Sequence, residues 1–111
     1  MSAYVIVDVD PHDLETYQEY RKLAPATVHA YGGTYLVRGN TIQHWEGHWT
    51  PKYIAVLEFE SFDRAKAWYE SAEYSAVKPM RQRSTRSNMI LVDGIAPGTL
   101  ATGSSVPTGH S

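Results

Sequence analysis

Apolar positions alternate from the start of the chain. Ala3, Val5, Val7 and Val9 share one face of an extended segment, and Tyr4, Ile6 and Asp8 share the other. Both faces are largely apolar, the pattern of a central strand covered on two sides. The period then lengthens to that of a helix, with Leu14, Tyr17, Tyr20 (or Arg21) and Ala24 in register. Asp10 is the expected N-cap and Pro11 the first helical residue. Pro25, which removes a helix hydrogen bond, is expected to kink or restart the segment, and Tyr31-Gly32-Gly33 to end it. Thr34 to Arg38 reads as a second strand, with Gly39-Asn40 as a turn or bulge. Thr41 to Trp49 reads as further extended chain. Tyr53 to Phe59 is a third strand, apolar on both faces apart from Glu58.

Ser61 is the expected cap of a second helix from Phe62 to about Glu70, which buries Phe62, Ala65 and Trp68 or Tyr69. Ser71 is a fresh cap, with Glu73 in the first turn of a short helix that runs towards Arg83 and is interrupted near Pro79. Asn88 to Asp93 is the last strand, closed by Gly94. The order is β-α-β-β-α-β. Two strand–helix units with parallel central strands and right-handed crossovers predict an α+β, ferredoxin-like fold, a four-stranded antiparallel sheet with helices on one face. The second sheet face is apolar too, and the cheapest cover is the same face of a second chain, so a homodimer is expected. The domain is expected over residues 1–95. Residues 96–111 are rich in Gly, Ser, Thr and Pro and are expected to be a disordered tail, since they offer little to bury.

A formal charge of -2 argues against nucleic acid as a partner, because phosphate binding needs a basic face. The chain contains no cysteine, which excludes disulfides, thiolate zinc sites and cysteine nucleophiles. Its first residues lead directly into a strand, unlike a signal peptide. No apolar run approaches the roughly 20 residues that span a bilayer. The expected setting is cytoplasmic, without a membrane partner.

Several stretches together resemble a known family. They are Tyr4-x-Ile6-x-Asp8 with Asp10-Pro11, Tyr31-Gly32-Gly33-x-Tyr35-Leu36-Val37-Arg38-Gly39, and Glu46-Gly47-x-Trp49. Leu57-Glu58-Phe59-x-Ser61-Phe62, Ala67-Trp68-Tyr69-x-Ser71-x-Glu73-Tyr74 and Asn88 to Gly94 complete the set. Over about Ala3 to Gly94 the chain resembles the bacterial "domain of unknown function 1330" family of the dimeric α+β barrel superfamily. The resemblance implies the fold and the dimer. It implies little about chemistry, since related superfamily members include cofactor-free monooxygenases, cyclases, isomerases, dehydratases and heme-handling enzymes. His44 and His48 lie outside the family pattern.

Three constellations could carry chemistry. Asp8 and Glu58 lie at equivalent places near the ends of the two central strands, and an acid there is costly to bury unpaired. Arg38 on the neighbouring strand could pair with one of them. The trio would form either an ionic pocket floor with a general base or, more commonly, a structural ion pair. His44, Glu46 and His48 alternate along an extended segment and would share one face as a 2-His-1-carboxylate set for iron, zinc or manganese; an exposed arm without metal is the plainer reading. Tyr17, Tyr20, Tyr31, Tyr35, Trp45, Trp49, Trp68, Tyr69 and Tyr74 would build a pocket for a flat organic ligand or an ordinary core and interface. His29, near a helix end, is either a solvated cap or a base turned into the sheet–helix cavity. Lys78, Arg81, Arg83 and Arg86 read as a solvated helix face.

The leading expectation is an enzyme that performs cofactor-independent acid–base chemistry on a small organic or polyketide-like acid. Arg38 would fix the anion, Glu58, Asp8 or His29 would move the proton, and Tyr17, Tyr35, Trp68, Tyr69 and Tyr74 would line the pocket. The alternatives are a non-catalytic dimeric binding or accessory protein, and a metal-dependent enzyme using His44, Glu46 and His48.

Overall fold

A computed structural model describes residues 1–95. The expected tail lies outside the described residues. The elements are β1 (Ala3–Pro11), α1 (Leu14–Ala30), β2 (Thr34–Gly39), β3 (Ile54–Phe59), α2 (Phe62–Glu70), α3 (Ala72–Ser84) and β4 (Thr85–Asp93). They form a ferredoxin-like sheet of order β2-β3-β1-β4. All three pairings are antiparallel, including that of the central strands β1 and β3. This corrects the expected parallel centre. Each crossover returns its strand two places away, leaving room for an antiparallel strand between.

Alternation along the strands decides the two faces. Ala3, Val5, Val7 and Val9 of β1 and Ala55, Leu57 and Phe59 of β3 are buried against the helices with Val28, Trp68, Tyr74 and Val77. The intervening residues form the outer face. There Ile6 lies beside Val56 and Ile90, and Tyr4 beside Glu58 and Val92.

Several boundaries differ from expectation. β1 continues through Asp10 and Pro11, which pair with Arg86 and Thr85 of β4. Beyond Asp8 the strand has no β3 neighbour, so the missing amide of Pro11 costs no ladder bond on that side. The N-cap passes to Asp13, whose carboxylate accepts from the Thr16 amide at 3.2 Å. Helix α1 runs through Pro25, and α3 through Pro79, without restarting. Packing of α1 and α3 against each other and against the sheet outweighs one lost helix bond. Residues 41–53 form no strand; they make an irregular, largely exposed arm with a bend over Glu46–His48. β4 begins at Thr85, directly after α3. Phe62 is exposed rather than buried, and Ala65 and Trp68 carry the buried face of α2.

Candidate site between the sheet and the helices

A β-bulge determines what faces the helices at the mouth of the site. Tyr35 pairs with Leu57, yet Val37 pairs with Val56 and Arg38 with Ala55. Leu36 is the extra residue. In a regular strand Tyr35 and Arg38, three positions apart, would point to opposite faces. With the bulge, both turn to the helix side, and the Arg38 guanidinium lies 4.8 Å from the centre of the Tyr35 ring. The bulge sits inside β2, not at Gly39-Asn40 as expected.

Behind this pair is a cavity of about 40 Å³ bordered by Val7, Val9, Tyr17, Tyr20, Arg21, Tyr35, Arg38, Tyr53, Trp68, Arg81 and Met89, among others. That is room for about one water. Tyr17 and Tyr20, one helical turn apart on α1, stack with ring centres 5.9 Å apart, and the Tyr53 ring meets Tyr17 edge-on at 6.4 Å. Arg21 lies 5.2 Å over Tyr53. The Tyr20 and Tyr74 hydroxyls are 2.8 Å apart.

Burial dominates the electrostatics of these phenols. It pushes Tyr17 and Tyr35 up to about 12, and Tyr20 up further with help from the adjoining Tyr74. All three are neutral hydrogen-bond donors near neutral pH. Arg38 is held above its ordinary value, chiefly by the Tyr53 hydroxyl beside it. Trp68 donates from its indole nitrogen to Thr27 Oγ1 at 3.0 Å, which fixes the ring that closes one wall.

The residues expected to act together are divided by the sheet. Arg38, Tyr17, Tyr35 and Trp68 border the cavity. Tyr74 is buried behind it and touches it through Tyr20 and Arg81. Tyr69 borders a second cavity, of about 320 Å³, between α2 and β4, which shares Trp68 and Met89 with the first. Asp8 and Glu58 are on the outer face, away from Arg38. Their places are not equivalent: antiparallel pairing puts Asp8 opposite Ile54 and Glu58 opposite Tyr4, about 13 Å apart along the strands. Asp8 accepts from the Trp49 indole at 2.7 Å and from Asn88, and Glu58 accepts from the Tyr4 hydroxyl at 3.3 Å. The ionic trio therefore does not form within the chain. His29 is exposed on α1 and does not turn into the cavity.

The metal alternative loses its premise, because the arm is not a strand and the alternation that would align its residues is absent. His44 Nε2 instead lies 2.7 Å from the Gly47 carbonyl. Among the described residues no three His, Asp or Glu side chains gather as a metal site.

Two polar cavity residues, Arg21 and Tyr53, had no assigned role in the sequence, and Tyr20 was named only among the aromatics of a possible pocket or core. Arg81 was read as solvated, but it is buried. The signal was present, since Tyr74, Val77, Arg81 and Ser84 follow one another at the spacing of a buried helical stripe.

The family described as "Domain of unknown function (DUF1330)" matches residues 2–95. No curated protein matches the chain. Among solved structures, a protein of unknown function from Rhodopseudomonas palustris superposes with a TM-score of 0.73 at 15% identity, covering 86% of this chain and 84% of that one. A dimeric ferredoxin-like protein of unknown function from a Jannaschia species gives a TM-score of 0.66 at 14% identity, covering 86% and 100%. SnoaB, a cofactor-independent oxygenase from Streptomyces nogalater, gives 0.62 at 8% identity, covering 86% and 94%. At these identities the likeness is one of fold. No helix among the described residues is long and apolar enough to cross a membrane.

Proposed function

Since the chain belongs to the DUF1330 family, we propose that it is a cytoplasmic, homodimeric small-molecule enzyme that stabilises the deprotonated form of a small organic acid, without a cofactor. The observation that carries this reading is the Arg38 guanidinium at the mouth of a cavity walled by neutral phenols, with no carboxylate or imidazole among its lining residues. A cation and several O–H donors around a small, partly enclosed space are complementary to an anion that develops on oxygen. Enolisation meets that description. The substrate C–H bond breaks, its proton passes to solvent, and the electron pair moves onto the carbonyl oxygen beside Arg38 and the tyrosines. An enolate is the common first intermediate for isomerisation, cyclisation, dehydration and cofactor-free oxygenation, and SnoaB illustrates the last on a similar fold. The neighbouring 320 Å³ cavity offers space for the apolar part of a larger, polyketide-like substrate.

The same lack of a lining base favours a second reading, a binding or accessory protein that holds such an acid without turning it over. Deuterium exchange at the acidic carbon of a panel of β-keto acids and 1,3-diones, followed by proton NMR, separates the two. The enzyme reading expects exchange above the buffer rate, slowed at least about tenfold in Arg38→Ala. Binding without accelerated exchange assigns the accessory role. Exchange unaffected by Arg38→Ala removes Arg38 from the site.

A further inference from the structure

The inner wall of the same cavity carries a second cation. Arg81, in the last turn of α3, is only 5% exposed. Its Nε donates to the Tyr74 hydroxyl at 3.2 Å, and its Nη1 to Ser87 Oγ at 2.6 Å. Both partners are neutral. The ion pair found among the described residues is Lys22 with Glu19, on the surface of α1, so no carboxylate there balances Arg81. A buried guanidinium without a counter-ion is unfavourable, and such groups are ordinarily paired.

The third nitrogen shows where the missing anion would go. Nη2 makes no hydrogen bond among the described residues, where Arg81 donates only from Nε and Nη1. Yet no fully buried side-chain nitrogen there lacks a partner. Nη2 therefore reaches accessible space, and the space that Arg81 borders is the tyrosine-lined cavity. Ser87 and Tyr74 hold the other edges of the fork, so it is oriented before any ligand arrives.

We propose that Arg81 is an inner anion anchor, and that the ligand is a short acid with oxygen groups at both ends: a 1,3-diacid, or a β-keto acid as its enolate. One ionised end sits on Arg81 at the inner wall, where a planar carboxylate matches the geometry of the guanidinium. The other end turns to Arg38 and the phenols at the mouth. At about 40 Å³ the inner space takes only a small end of the ligand, one carboxylate group, so the rest of the acid lies out at the mouth beside Arg38. This inference rests on the cavity being an acid site and adds a second cation to it.

Calorimetric titration with malonate, acetate and the neutral diamide malonamide tests it on the wild-type chain, Arg81→Gln and Arg38→Gln. Wild type is expected to bind malonate at least about tenfold more tightly than acetate, and malonamide not at all. Arg81→Gln, which keeps a hydrogen-bonding side chain beside Tyr74 and Ser87, is expected to lose about tenfold or more in malonate affinity. Arg38→Gln is expected to reduce malonate to the level of acetate. Should Arg81→Gln not fold, the Arg81 Nε–H resonance of the wild-type protein decides, and it is expected to move with malonate but not with malonamide. Equal, Arg38-dependent binding of malonate and acetate that Arg81→Gln leaves unchanged overturns the inner anchor and leaves the single-cation acid site standing. Failure of both acids to bind folded wild type overturns both.

Discussion

Tyr17 and Tyr35 show how one environment determines both chemistry and stability. Burial holds both phenols up to about 12, against about 10 in an unfolded chain. Between these values the unfolded chain has released protons that the folded chain still binds. Stability is therefore complete below pH ~10 and falls as pH rises towards ~12. Denaturant titrations at increasing pH are expected to show that decline, made shallower by Tyr17→Phe or Tyr35→Phe. Near-ultraviolet absorbance should show a first group of tyrosines ionising ahead of a later, buried group. A single phenolate transition near pH 10 in the folded protein would contradict the burial of the pair. The neutrality of these groups at physiological pH is what lets them donate hydrogen bonds to an anion.

Among the elements, the junction of α2 and α3 depends on one side chain. Ser71 ends α2 and caps α3 at once: its hydroxyl donates to the Trp68 carbonyl at 2.7 Å and accepts from the Tyr74 amide at 3.0 Å. The residues it ties, Trp68 and Tyr74, pack with ring centres 4.2 Å apart in the core. Ser71→Ala removes both bonds in a buried setting and is expected to cost about 1–2 kcal/mol in chemical denaturation. Ser71→Thr should retain most of that stability; equal stability of the Ala variant would show that the junction is held by packing alone. The α1–β2 turn is constrained differently. Gly32 has φ +78°, and a Cβ on Gly33 would come within 2.6 Å of Val28 and 2.7 Å of Phe59. Gly33→Ala is therefore expected to destabilise by about 1–3 kcal/mol, measured the same way.

At the scale of the molecule, the outer sheet face is unfinished. Ile90, Val37 and Val92 are 58%, 44% and 42% exposed, and they flank the half-buried Ile6 and Val56. A second copy presenting the same face would bury them. Light scattering at micromolar concentration is expected to give about twice the 12.4 kDa chain mass. Val92→Asp, on that face and lining neither cavity, is expected to shift the mass towards one chain while leaving acid binding in place. A stable wild-type monomer would leave the apolar face without its explanation.

Alternating and helical periods suffice to read the order of elements in this chain, because which residues of a strand or helix are buried repeats locally. Ser61 and Ser71 as caps, Gly32-Gly33 as the end of α1 and the apolar second face of β1 are legible for the same reason. The composition of the site is legible in kind, as tyrosines and an arginine, but not in arrangement. Asp8 and Glu58 stand one residue out of phase with the helix-facing positions, and antiparallel pairing carries them to opposite ends. Arg38 turns inward only because Leu36 is bulged, and a bulge is settled by how two strands pair. Arg81 sits on a legible apolar stripe, yet only the approach of Tyr74, Ser87 and Tyr20 from other turns and strands makes a buried cation tolerable there. Local patterning could determine what each segment is, whereas the partners of a charge come from distant parts of the chain, and only the tertiary structure decides which of them meet.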